Sequence, residues 1–139
     1  MYHTIIIAGN LGRDPEMRYT PSGQPVTNFP VATNRQYTDS NGQPVKETIW
    51  FRVSAWGKIA ETCNTFLKKG SKVLVEGRLV ADPKTGGPKV WQGSSGPGAS
   101  FEISASTVRF LSSKSETGGG AGLPGEETEP TPDDDGIPF

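Results

Sequence analysis

Trp50, Arg52, Ser54 and Trp56 recur at every second position of one continuous stretch, Lys46–Trp56. Side chains alternate along a strand, so these four share one face and Phe51, Val53 and Ala55 share the other. The second set reads as a core face. The first places a guanidinium between two indoles. Flat rings beside a cation can stack unpaired bases and meet their phosphates, at roughly 1–3 kcal/mol per stacked base and with little regard to sequence. The opposite orientation would put Trp50 and Trp56 in the core and turn Phe51 and Val53 toward a partner subunit.

Further residues could extend such a surface. Tyr37 stands between Arg35 and Lys46, in a segment that reads as a hairpin loop. Trp91 sits in a second Gly/Pro-rich segment near Lys84 and Lys89, where a core role is uncommon. Lys58, Lys68, Lys69 and Lys72 could line a phosphate track, as could Arg13 and Arg18 around the first turn. Each of these cations, taken singly, reads equally as a solvated surface charge.

Catalytic chemistry finds little to work with. His3 is the only histidine and Cys63 the only cysteine, so the chain cannot form a multi-histidine metal site or a structural zinc site by itself. Cys63 falls on the apolar stripe of a helical segment and reads as core. Gly9-Asn10-Leu11-Gly12 lacks the Gly-Lys-Ser/Thr of a phosphate loop and reads as a turn. No metal, no cofactor and no enzymatic activity are expected.

The elements that must position these side chains follow from periodicity. Ile5–Gly9 is a short β-branched run. Val26–Arg35 alternates, with Phe29, Val31 and Thr33 on one face and Pro30 marking an edge or a bulge. Asn41-Gly42 is a hairpin signal leading into Lys46–Trp56. Over Lys58–Lys69 the spacing of Ile59, Cys63, Phe66 and Leu67 predicts a helix ended by Gly70. Lys72–Leu79 alternates again, with Val73, Val75 and Leu79 on one face. Residues 82–98 read as a long loop or loose hairpin. In the last strand, Ser100–Leu111, the apolar parity switches between Ile103 and Val108, which predicts a bulge or bend. Three strands, a helix and two strands make an all-β chain. The order fits a five-stranded Greek-key barrel of the OB-fold type, with the helix between strands three and four. Closure also removes exposed sheet edges from so small a chain.

Charge divides the 139 residues into two parts. Residues 1–112 carry 13 Lys/Arg against 8 Asp/Glu, a net +5. Residues 113–139 carry one Lys against seven acids, a net −6. A basic body with an acidic tail is a pattern of nucleic-acid proteins. The expected organisation is a binding domain over 1–112, a linker over 113–132 and an acidic tip over 133–139. Leu123 is the linker's only large apolar residue, too little to offset chain entropy, so this tail is expected to be disordered. In the tip, Asp133, Asp134 and Asp135 precede Ile137, Pro138 and Phe139, which together look like a peptide offered to other proteins. The amino-terminal run has no basic segment and is too short for a membrane span, so no signal peptide or membrane partner is expected. One cysteine fits a reducing cytosol.

Several motifs in one order resemble the bacterial-type single-stranded DNA-binding proteins. They are Gly9-Asn10-Leu11-Gly12-Arg13-Asp14-Pro15-Glu16-Met17-Arg18-Tyr19, Trp50-Phe51-Arg52-Val53, Trp56-Gly57-Lys58-Ile59-Ala60-Glu61, Lys68-Lys69-Gly70-Ser71 and Val75-Glu76-Gly77-Arg78-Leu79. The tip is similar too, with Gly136 inserted after the acids. The resemblance covers residues 2–111 and the tip. It implies an OB-fold, a homotetramer, and sequence-independent binding of single-stranded DNA in the cytoplasm at the nucleoid. It further implies recruitment of replication, repair and recombination proteins through the tip. By position, Trp50 and Trp56 match family stacking aromatics, and Tyr37 stands where an aromatic is frequent. Lys84 lies near the place of the family's loop aromatic, for which Trp91 is the candidate substitute. The DNA-binding set is therefore Trp50, Trp56, Tyr37, Trp91, Arg52, Arg35, Lys58, Lys72, Arg13 and Lys84. Three alternatives stay open on the residues alone: an RNA-binding OB module, an OB-fold nuclease and a ligand-free structural oligomer.

Overall fold

A computed structural model describes residues 1–112 of the chain. The expected linker over 113–132 and the acidic tip over 133–139 lie outside the described residues. The elements in order are β1 (Ile5–Leu11), β2 (Glu16–Tyr19), β3 (Pro25–Thr38), β4 (Pro44–Trp56), α1 (Lys58–Phe66), β5 (Lys72–Val80), β6 (Lys89–Gly93) and β7 (Gly96–Phe110).

Five of the strands close on themselves. The hydrogen-bonded order β1-β5-β7-β4-β3 returns to β1 through Asn10 opposite Ala32 and Leu11 opposite Val31. The one parallel pairing among them joins β4 to β7, Phe51 to Ser54 against Phe101 to Ser104. This is the expected Greek-key OB-fold barrel with its helix between the third and fourth barrel strands. The β2 and β6 strands are additions. Short β2 pairs with β3, and β6 forms a hairpin with β7.

Alternation builds the core as the sequence predicts. Phe29 and Val31 of β3, Phe51, Val53 and Ala55 of β4, Val73 and Val75 of β5 and Ile103 of β7 are buried together. Each large apolar side chain removed from water there contributes about 1.5–3 kcal/mol. Cys63 and Leu67 join the same cluster from the helical segment. Thr27 Oγ1 donates to the carbonyl of Ala60 at 2.7 Å, a buried bond tying α1 to β3.

Four details differ from, or refine, the expected elements. The helix ends at Phe66, not Lys69, because Leu67 is extended and turns its side chain into the core. Gly70, with φ +88°, belongs to the following turn and donates to the Leu11 carbonyl, so it does not cap the helix. Leu79 keeps the parity of Val73 and Val75 and pairs with buried Ile103, yet it is 44% exposed near the end of β5. That pairing lies beyond the expected irregularity in the last strand. The β5–β7 register shifts between Glu76 and Gly77, where Glu76 pairs with Thr107 and Gly77 with Ala105. Ser106 is the extra residue, and its hydroxyl donates to the Glu76 carbonyl. Pro30 makes no bulge against β4, whose register with β3 runs unbroken from Val26 to Thr38. It falls where the far side of β3 passes from β2, ending at Asn28, to β1, starting at Val31. A ladder donor is not needed at that gap.

Candidate nucleic-acid interface

Trp50, Arg52 and Trp56 of β4 face outward, as strand alternation requires. Trp50 is 53% exposed and Trp56 42%. Phe51, Val53 and Ala55 between them are buried, which removes the reading with the two indoles in the core. Trp50 lies over Gly12, beside Pro30. A Cβ on Gly12 would overlap the benzene ring of Trp50, so glycine leaves the space that ring fills. Pro30 is also the register partner of Arg52.

Register carries this outer face around the barrel. Asn28, Ser54, Ser104 and Arg78 form one row across β3, β4, β7 and β5. Ser54 Oγ and Asn28 Oδ1 are 2.7 Å apart, which fixes the row beside Trp56. Pro30, Arg52, Glu102 and Val80 form the next row. Together with Arg18 and Lys89, these strands enclose a groove of about 470 Å³. Arg18, Arg52, Arg78 and Lys89 all line it, Trp56 forms part of its wall, and Glu102 is its one acid. Such a surface offers an aromatic platform and a row of cations, the two components that single-stranded nucleic acid needs.

Trp91 belongs to the same side of the sheet. Arg52 is in register with Glu102, Glu102 alternates to Ser100 and Gly98 along β7, and Gly98 is opposite Trp91 on β6. Its indole covers Gly98, where a Cβ would stand 2.8 Å from the ring, and it is 49% exposed.

The other expected residues are not brought into this groove. Arg35 and Tyr37 lie on the β3–β4 ribbon at odd positions, on the opposite side from Trp50 and Arg52. There Arg35 stacks over Tyr37, 4.7 Å from the ring centre, and contacts Glu47 at 3.4 Å. Arg13 follows Gly12 in the turn between β1 and β2, and Lys58 is the exposed first residue of α1. Lys84 sits in the β5–β6 turn, where its backbone N–H donates to Asp82. Lys72 lines a separate basic depression with Lys69, Asn10 and Ser112. Arg78 is a groove residue absent from the expected set, while Arg18, a phosphate-track candidate, and Lys89, a charge near Trp91, join it there. Their placement depends on pairing between distant strands. The Gly77-Arg78 pair within a recognised motif was the only local signal.

Cys63 is buried, and burial pushes its thiol up to about 11. It is a core residue, as expected. Among the described residues no three His, Cys, Asp or Glu side chains gather as a metal site, and no helix is long and apolar enough to cross a membrane.

A closed five-stranded barrel with an outward aromatic and cationic groove defines an OB-fold protein. The chain belongs to the Single-strand binding protein family, whose sequence profile matches residues 2–111. It is 40% identical over 118 residues to a single-stranded DNA-binding protein of Neisseria meningitidis serogroup A, covering 84% of this chain and 64% of that relative. It is 40% identical over 119 residues to single-stranded DNA-binding protein 1 of Chlorobaculum tepidum, covering 83% and 68%. The chain thus spans about two thirds of the length of these relatives. Among solved structures, an SSB complex with ssDNA from Plasmodium falciparum superposes with a TM-score of 0.67 at 25% identity, covering 81% of this chain and 96% of that one. A deletion mutant of the single-stranded DNA binding protein from Thermus aquaticus gives 0.63 at 27%, covering 80% and 51%.

Proposed function

We propose that the chain binds single-stranded DNA without sequence preference and is not an enzyme. The observation that carries this reading is the outward row of Trp50, Arg52 and Trp56 beside the groove lined by Arg18 and Arg78. Bases stack on the indoles while phosphates meet the cations and release counterions. Arg13, Lys58, Lys72, Lys84, Arg35 and Tyr37 lie around the barrel and extend the path of a longer strand. The relatives' names and the DNA-bound structural neighbour support the same reading.

Binding of this kind coats and protects strands exposed during replication, recombination and repair. The chain acts in the cytoplasm at the nucleoid, as a homotetramer. Its acidic tip recruits DNA-processing proteins: Ile137, Pro138 and Phe139 supply apolar anchors, and Asp133, Asp134 and Asp135 pair with basic pockets. The sequence of the tip and the family membership support this part.

Filter binding of labelled poly(dT), with duplex DNA and poly(U) as competitors, tests the substrate. Retention that survives both competitors is expected, and equal competition by poly(U) would move the reading to RNA. Replacing Ile137 and Phe139 together by Ala tests the tip, and pull-down of DNA-processing enzymes should be lost while poly(dT) binding is kept.

A further inference from the structure

The cationic groove holds one carboxylate. Glu102 stands on β7 with Arg52 of β4 on one side and Val80 of β5 on the other. Its side chain is only 19% exposed, and its Oε2 lies 3.2 Å from Lys89 Nζ. Lys89 is opposite Ser100 on the β6–β7 hairpin, so this is a diagonal cross-strand pair on the groove face. Five register pairs already hold that hairpin together. An ion pair on its half-exposed surface adds little stability, so folding alone does not explain an acid at this position. In a groove that receives phosphate, the acid acts in two ways. It repels the incoming anion directly. It also occupies the ammonium of Lys89, which would otherwise be one more phosphate contact.

Resting on the DNA-binding reading above, we infer that Glu102 is a built-in restraint on the groove. It keeps Lys89 in an internal ion pair and subtracts one charge from the phosphate path. Single-stranded DNA therefore binds more weakly, and leaves sooner, than the groove's cations alone would dictate. A strand that is coated must also be given up to the next protein, and an internal competitor lowers the barrier to that release. Glu102 is a positioning residue in this scheme: it acts through Lys89 and through the field in the groove.

The test is Glu102→Gln in the full chain, titrated with a dT oligonucleotide over a range of salt concentrations. At low salt the variant should bind about five-fold tighter, a gain that shrinks as salt screens the removed charge. The slope of log affinity against log salt should steepen by about 0.7, the value for one added phosphate contact on a single strand. Adding Lys89→Gln to the variant should return the slope to that of the wild type. Glu102→Ala carries the same expectation and guards against a local effect of the amide. Equal or weaker binding by both variants, or an unchanged slope, overturns the inference. A wild-type chain that fails to bind the oligonucleotide overturns the functional reading as well. Wild-type binding without gain in the variants overturns only the role of Glu102.

Discussion

The ring of Trp50 occupies the space that a Cβ on Gly12 would fill, with Cη2 2.7 Å from that position. A turn glycine and a strand tryptophan, 38 positions apart in the chain, thus share one site on the outer wall. Gly12→Ala forces the ring to move, because the contact is with the far end of a side chain and not with backbone. The fold should survive. The indole should lose its place over Gly12, and binding of a dT oligonucleotide should weaken by up to one stack, about 1–3 kcal/mol. Gly9→Ala is the contrasting case. There a Cβ would collide with the backbone carbonyl of Ala32, beside the β1–β3 pairing that closes the barrel. Thermal melting should separate the two: a small change for Gly12→Ala and a large loss for Gly9→Ala.

The two tryptophans of β4 should act as platforms and not as charges. Replacing Trp50 and Trp56 together by Ala should cost several kcal/mol of binding, on the order of 1–3 per lost stack. The salt slope should stay as it was, since no phosphate contact is removed. Titrations of the double variant at three salt concentrations check both expectations.

Cations should behave in the reverse way, and their position should matter. Arg78 lines the groove, whereas Lys72 lines the depression next to Ser112. With an oligonucleotide short enough to fill only the groove, Arg78→Ala should reduce the salt slope by about 0.7. Lys72→Ala should leave it unchanged. Equal effects of the two would show that the short strand does not choose the groove.

Cys63 gives a prediction in pH. Burial raises its thiol from 9.0 to about 11 in the folded chain. A raised value means that the folded state keeps its proton after the unfolded state has lost it. The contribution to stability is complete below about pH 9 and is lost as pH rises toward about 11. Denaturant midpoints should fall over that window more steeply for the wild type than for Cys63→Ala. A thiol reagent at neutral pH should react only when the chain unfolds.

Much of this site was legible in the alternation of a single strand. Trp50, Arg52 and Trp56 against Phe51, Val53 and Ala55 needed only a period of two. The parity switch in the last strand likewise announced the extra Ser106. Pairing between distant strands was not legible. Leu79 follows Val73 and Val75 in parity and pairs with buried Ile103, yet it is exposed near the end of β5. The register shift beyond Glu76 sets Arg78 beside Ser104, which no local pattern reveals. Residues Glu16–Tyr19 form a strand because β3 offers them an edge, and four mostly exposed residues carry little signal of their own. The helix stops early because Leu67 is needed in the core, a tertiary demand that overrides the expected last turn through Lys68 and Lys69.

The most direct measurement is fluorescence of a Trp91→Phe variant, in which Trp50 and Trp56 are the only indoles, on addition of a dT oligonucleotide. Exposed rings that stack bases should be strongly quenched, with saturation at a fixed stoichiometry. Emission that stays unchanged while the oligonucleotide is bound would contradict a stacking site on the outer face of β4.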